Sequence, residues 1–294
     1  MDICVLGPVR VTTANGGQAL IRHRRERAVL ACLATRPRRL VLRDQLAEEI
    51  WGRGVPVAAQ TTVRSYVARL RRELAPVAGS GEAAEVVATR DGGYLLDVAD
   101  EHVDWLRFSR DVQSGAALLS TGQVAAARDA ASRALDAWQG PPFVDLPGSP
   151  RAQELVARLD QLRLRALEVE GEAMLLAGEH QQLVPRLAGL VVEHPLEERF
   201  WEQLVRALLR CGRRAEALAM YGQAQETLEA ELGVGPGPQL RAACALAHEG
   251  DAGGPLGAGP IGLLLPASAG RSAAVDRRLT HDRRRSERRQ ARGC

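Results

Sequence analysis

The sequence predicts a mostly α protein with a small β component, in two parts that meet near residue 100. Three observations carry that prediction. Within the first hundred residues, short β-favouring runs and a turn-bounded hairpin bracket three helical segments. Beyond them come apolar helical repeats punctuated by glycines, with Gly178 and Gly212 standing 34 residues apart. Within the first part, the segment TTVRSYVARLRREL (residues 61–74) joins an apolar stripe to four arginines.

The first part reads element by element. DICVLG, VRVTT and QALI are β-favouring, the last two separated by an Asn15-Gly16-Gly17 turn. A helix is expected over Arg25–Thr35, ending before Pro37, because a proline pushes its predecessor out of the helical region. A second is expected over Arg43–Trp51, with Leu46 and Ile50 one turn apart. Leu42 stands there where a Ser or Thr cap would be expected. After the loop GRGVPVAA, residues 61–74 wind so that Val63, Val67, Leu70 and Leu74 share an arc of about 60°. Thr61, Ser65, Ala68 and Arg72 lie opposite, bordered by Thr62 and Arg69 on one side and Arg64 and Arg71 on the other. That outward face is small at its centre and cationic at its edges, which suits a groove walled by phosphates. VVATR and GYLLDV then flank Asp91-Gly92-Gly93, a hairpin signal. Three helices followed by a hairpin is the order of a winged helix-turn-helix, whose third helix enters the major groove.

The second part predicts an all-α, tetratricopeptide-like helical-repeat domain. LLSTG, LLAG and LLRCG end at Gly122, Gly178 and Gly212. At the same offsets after each glycine come Ala127, Ala131, Ala134; Leu183, Leu187, Leu190; and Ala217, Tyr221, Ala224. The step between the last two glycines is the tetratricopeptide period. The first step is longer, because it holds the loop QGPPFVDLPGSP and a helix expected over 151–177. Stacked hairpins of this kind present protein-binding surfaces. The expected domains are therefore 1–99, 100–250 and a Gly/Pro-rich linker with an arginine-rich tail over 251–294, expected to be disordered. A fragment ending near Ala99 is expected to fold alone.

Charge follows the same division. Residues 1–100 carry 15 arginines against 11 acidic residues, residues 101–250 carry 15 against 21, and residues 251–294 carry 9 against 4. A basic amino-terminal module beside an acidic one fits a nucleic-acid binder joined to a protein-contacting domain. There is no lysine, which excludes a Walker A phosphate loop and Schiff-base catalysis. The five cysteines, Cys4, Cys32, Cys211, Cys244 and Cys294, form no CxxC pair and read as reduced thiols. The six histidines show no telling spacing, and no GxSxG or paired-carboxylate motif appears. No metal, cofactor, enzymatic activity or membrane span is expected, and the location expected is the cytoplasm. A nominal GxGxxG at Gly257, Gly259 and Gly262 follows no strand and contains Pro260, so it is not read as a nucleotide site.

Taken together, VLGPVRV, RRERAVLACLA, LRDQLAEEIWG, TTVRSYVARLRREL and VVATRDGGYLL, then WQGPPFVDL, VVEHPLEERFWEQLVRALLRCGRRAEALAMY and LEAELGVGPGPQL, resemble the SARP family of antibiotic-pathway regulators. The resemblance covers residues 2–247, with the blocks in family order. It implies an OmpR-type winged helix joined to a bacterial transcriptional activation domain. It further implies an activator of a secondary-metabolite gene cluster that binds double-stranded DNA at direct repeats near the −35 region. RNA polymerase, its sigma factor and a second copy on DNA are the implied partners. By position, it implies that Thr61, Thr62, Arg64 and Ser65 face the bases, that Arg25, Arg27, Arg69, Arg71 and Arg72 hold phosphates, and that Arg90 sits at the wing. The wing reads RDGGY where RPPGY is common in the family, which predicts a tighter turn. The competing reading is a helical-repeat interaction scaffold with a degenerate DNA-binding domain.

Overall fold

The chain opens with three short antiparallel strands, β1 (Asp2–Cys4), β2 (Arg10–Thr12) and β3 (Gln18–Ala19). Register pairs Ile3 with Val11 and Val11 with Ala19, so alternation lays one small apolar face on the core. Three helices follow: α1 (Arg24–Ala34), α2 (Arg43–Trp51) and α3 (Ala59–Ala78). They pack on one another through Leu30, Leu33, Leu46, Val63, Val67, Leu70 and Leu74, and the whole expected stripe of α3 is buried. A short α4 (Glu82–Val86) leads into β5 (Val87–Arg90) and β6 (Gly93–Leu96). In this computed structural model residues 1–13, 16–78 and 82–249 are described, all within one compact unit spanning Met1–Gly257. Asn15 and the segment 251–294, with its expected linker, tail and glycine motif, lie outside the described residues.

The wing holds a strand that the sequence reading lacks. β4 (Val41–Leu42) pairs with β6, giving the sheet order β4-β6-β5. Two residues are too few to carry an alternation signal. This strand accounts for Leu42 at the start of α2: Leu42 pairs with Gly93, and its N–H donates to Gln45 Oε1 at 3.2 Å, so a side-chain cap is replaced by half of a capping box. Asp91 and Gly92 both adopt positive φ, +21° and +83°, as a tight two-residue hairpin turn requires. Gly93 is needed for approach rather than φ, since a Cβ there would stand 2.3 Å from the Val41 carbonyl oxygen.

Seven helices complete the described chain: α5 (Asp104–Ser120), α6 (Val124–Asp136), α7 (Pro150–Leu176), α8 (His180–Glu193), α9 (Glu198–Arg210), α10 (Arg214–Leu232) and α11 (Pro238–Glu249). The three repeat glycines end α5, α7 and α9 at φ +77°, +81° and +74°. Each forms a Schellman turn; at Gly122 the glycine N–H donates to Leu119 and the next N–H to Leu118, and the pattern recurs at Gly178 and Gly212. Only glycine adopts this conformation without a Cβ penalty, which is why the repeat is visible as glycines. The α9–α7 contact carries a buried ionic net, in which Arg206 bridges Glu172 and Glu202 and Arg199 joins them.

The core crosses the boundary that the sequence reading set at residue 99. One apolar cluster runs from Ile3 through the three-helix module to Phe108, Phe143, Leu146, Leu155 and Leu159. The backbone between the first two strands is satisfied from the second module. Val5 and Leu6 donate to Asp104 Oδ2 at 2.8 and 2.9 Å, and Leu6 and Val5 carbonyls accept from Gln139 and Phe143. Val9 donates to Asp145 Oδ2 at 2.8 Å, and Trp105 Nε1 reaches the Ala34 carbonyl. Ser149, fully buried, caps α7 through Ala152 N–H and bonds Glu49 of α2. The loop QGPPFVDLPGSP is therefore the lock between the modules.

Candidate nucleic-acid interface

Helix α3 is positioned by its neighbours along its whole length. Its first turn is tied to α2 by Gln60 Nε2, which donates to Asp44 Oδ1 at 2.8 Å. Its middle rests on the three-helix core, and its far half is clamped to the wing by Arg71. What remains outward is the face that the sequence predicted: Thr61, Arg64, Ser65, Ala68 and Arg72 are exposed, and Thr62 is half-buried.

The hydroxyls have a defined polarity. Thr62 Oγ1 donates to the Ala58 carbonyl at 2.9 Å and Ser65 Oγ to the Thr61 carbonyl at 3.2 Å. Their protons are engaged, so towards solvent both present acceptor lone pairs, which match the amino groups on the major-groove edges of adenine and cytosine. Arg64 and Arg72 make no hydrogen bond or ion pair among the described residues, so their guanidiniums have no partner within the fold.

The other expected DNA arginines divide sharply. Arg27 does not face outward; its Nε meets Asp145 Oδ1 at 2.8 Å and its Nη1 donates to the Ile21 and Arg22 carbonyls. The Asp145 carboxylate, buried beside α1, captures it and turns the expected phosphate ligand into a staple between modules. Arg71 donates through Nε and Nη2 to the Val87 carbonyl and through Nη2 to Thr89 Oγ1, beside the Tyr94 ring. Desolvation between helix and wing pulls its pKa below the usual arginine value. Nε and Nη2 thereby hold β5 against α3. Arg69 is shared, its Nε lying 2.6 Å from the buried Glu26 carboxylate while 42% of its side chain stays exposed. Arg25 is exposed, with Nη1 on the Ile50 carbonyl at 2.9 Å. Arg90 is exposed beside the wing turn and donates to the Thr89 carbonyl at 3.0 Å. Sequence reasoning sees each of these as an arginine on a basic module; the acids that engage Arg27 and Arg69 lie 118 and 43 positions away, and no local signal links them.

The second module offers no competing chemistry among the described residues. No cluster of His, Cys, Asp or Glu has metal-ligating geometry there, and no helix is long and apolar enough to cross a membrane. Cys32 sits in the core, where burial pushes its thiol up to about 12.

A helix offering small polar residues between unpaired guanidiniums, with a two-residue wing turn beside it and a helical-repeat module locked behind, defines a DNA-binding transcriptional regulator. Comparison with known proteins agrees. Residues 17–96 match the C-terminal domain of transcriptional regulatory proteins, and residues 103–245 match the bacterial transcriptional activator domain. The chain is 36% identical over 244 residues to the regulatory protein DnrI of Streptomyces peucetius, covering 82% of this chain and 89% of that protein. It is also 36% identical to the transcriptional regulator RedD of Streptomyces coelicolor, covering 82% of this chain and 68% of that one. Among solved structures, Mycobacterium tuberculosis EmbR in complex with a low-affinity phosphopeptide is similar with a TM-score of 0.76 and 30% identity, over 84% of this chain and 65% of that one. The chain belongs to the SARP family of transcriptional activators.

Proposed function

We propose that this protein is a sequence-specific activator of a secondary-metabolite gene cluster, acting in the cytoplasm on direct-repeat promoter sites near the −35 region. Residues 1–99 supply the DNA contact. Thr61, Thr62, Arg64 and Ser65 read bases; Arg25, Arg69 and Arg72 hold phosphates; Arg90 follows the backbone at the wing. Arg27 and Arg71 keep the scaffold in shape and leave the phosphates to the others. Residues 100–250 supply the surface for RNA polymerase and its sigma factor, and for a second copy bound to the adjacent repeat, where subunit contact raises occupancy. The observation that carries this reading is the outward face of α3, small and polar at its centre, on which Arg64 and Arg72 remain unpaired among the described residues.

The test is footprinting of the full chain on promoters next to its own gene, followed by run-off transcription with RNA polymerase holoenzyme. Protection of two equally spaced tracts upstream of the start site, with increased transcript, is expected. Uniform protection with no preferred tract refutes base reading. Protection without added transcript refutes activation.

A further inference from the structure

Trp51 at the end of α2 and Tyr66 in the middle of α3 stack, with ring centroids 5.9 Å apart and planes inclined by 25°. Each ring also carries a guanidinium: Arg25 Cζ lies 5.5 Å from the indole and Arg69 Cζ 5.1 Å from the phenol ring. The result is a series Arg25–Trp51–Tyr66–Arg69 along one flank of the helix that faces DNA. Both ends are pinned. Arg25 Nη1 donates to the Ile50 carbonyl, and Arg69 Nε is held at 2.6 Å by Glu26, whose side chain is 1% exposed. Those contacts involve one nitrogen of each guanidinium, and the Arg69 side chain keeps 42% of its surface exposed. Tyr66 stands off the buried stripe of α3, is half-buried, and its hydroxyl makes no hydrogen bond among the described residues. Both rings pack against the rim of the core, and their remaining faces are turned to the two guanidiniums.

We propose that Trp51 and Tyr66 are positioning residues for DNA binding, a ring platform that holds Arg25 and Arg69 flat and pointed at the phosphates. This rests on the DNA-binding reading above. A free arginine gives up most of its rotamer freedom when it docks on a phosphate, and a guanidinium already laid on an aromatic face gives up less. On this proposal Arg69 contributes despite its pairing with Glu26, because the carboxylate faces Nε while the ring underlies the rest of the guanidinium.

Because phosphate contacts are indifferent to sequence, the probe is a short mixed-sequence duplex at low salt, bound by the full chain and followed by fluorescence anisotropy. Tyr66→Leu keeps the apolar bulk and removes the ring; it should weaken binding about fivefold, the range of a partly desolvated cation–π contact. Tyr66→Phe should bind as the parent does. In a chain already carrying Arg25→Ala and Arg69→Ala, Tyr66→Leu should change affinity by less than about twofold, because nothing is left to position. Equal losses in both backgrounds would overturn the proposal and make the ring structural. Should Tyr66→Leu fail to fold, Arg69→Lys decides, since a lysine still faces Glu26 and keeps the charge. It should lose nearly as much affinity as Arg69→Ala, and parental affinity in Arg69→Lys overturns the platform. If the parent chain itself binds no duplex, the DNA-binding reading falls and this inference with it; binding without coupling removes this inference alone.

Discussion

Asp145→Ala tests the lock between the two modules. Asp145 is buried, and its two oxygens serve two different partners, Val9 N–H at 2.8 Å and Arg27 Nε at 2.8 Å. Removing the carboxylate strands the Val9 N–H, whose residue is 5% exposed, at a cost of about 2 kcal/mol for an unsatisfied buried donor. Arg27 fares better, because its Nη1 keeps the Ile21 and Arg22 carbonyls and 28% of its side chain reaches solvent. Losing the ionic hydrogen bond there adds about 1 kcal/mol. The expected total of about 3 kcal/mol is a large share of a domain stability of roughly 5–15 kcal/mol. Asp145→Asn retains one acceptor for Val9 and turns an amide donor toward Arg27, so it should cost about half as much. Urea unfolding followed by tryptophan fluorescence reads both variants, because Trp105 and Trp138 pack in the shared core. A loss below about 0.5 kcal/mol in Asp145→Ala would refute the lock, and equal losses in both variants would assign the whole effect to Arg27.

The same bonds bear on truncation: a fragment ending at Ala99 lacks Asp104, Gln139, Phe143 and Asp145, so it should show little cooperative unfolding, and a sharp transition in it would refute the shared core. Arg72→Ala should lower the salt slope of DNA binding by about one, whereas Arg71→Ala should leave the slope unchanged and lower the melting temperature through loss of its Val87 and Thr89 bonds. The buried ionic net predicts an acid limit. Burial alone would raise the Glu172 pKa, but Arg206 and Arg199 outweigh it and hold the group below its usual 4.5. A depressed carboxylate contributes stability that is complete above that value and is lost as pH falls through its folded pKa. Asp104, which burial pushes up to about 6 against three backbone N–H bonds, works in the opposite sense, costing stability as pH rises through that value. Arg206→Ala tests the net as a whole, since Arg206 also bonds Glu202, whose pKa burial raises. It should cost about 3 kcal/mol at pH 7 and less below pH 4, and a pH-independent cost would refute the ionic account.

Sequence reasoning reached those parts of the protein whose causes are local. The stripe of α3 is written as a 3.6-residue period, and each repeat glycine marks a Schellman turn whose φ no other residue tolerates as well. The bounds of α2 were read as Arg43–Trp51 and are found there. What sequence alone misses is pairing across distance. β4 exists because β6 returns to meet it, and its two residues are otherwise a loop. WQGPPFVDLPGS looks like a spacer until Asp145 and Ser149 are seen against α1 and α2. Exposure of the α3 face followed from periodicity, but which arginines remain unpaired depended on Glu26, Asp145 and the Val87 carbonyl, and none of these is local to its partner.

The central claim is that the exposed face of α3 reads DNA sequence, and Arg64→Ala tests it most directly. Its affinity is to be measured for the footprinted site and for mixed-sequence DNA at one salt concentration. The account predicts a loss of roughly 1–3 kcal/mol on the site and a much smaller loss on mixed DNA, so that the specificity ratio falls by about fivefold or more. Equal losses on both DNAs would make Arg64 a phosphate clamp, and no loss on either would contradict the placement of α3 in the groove.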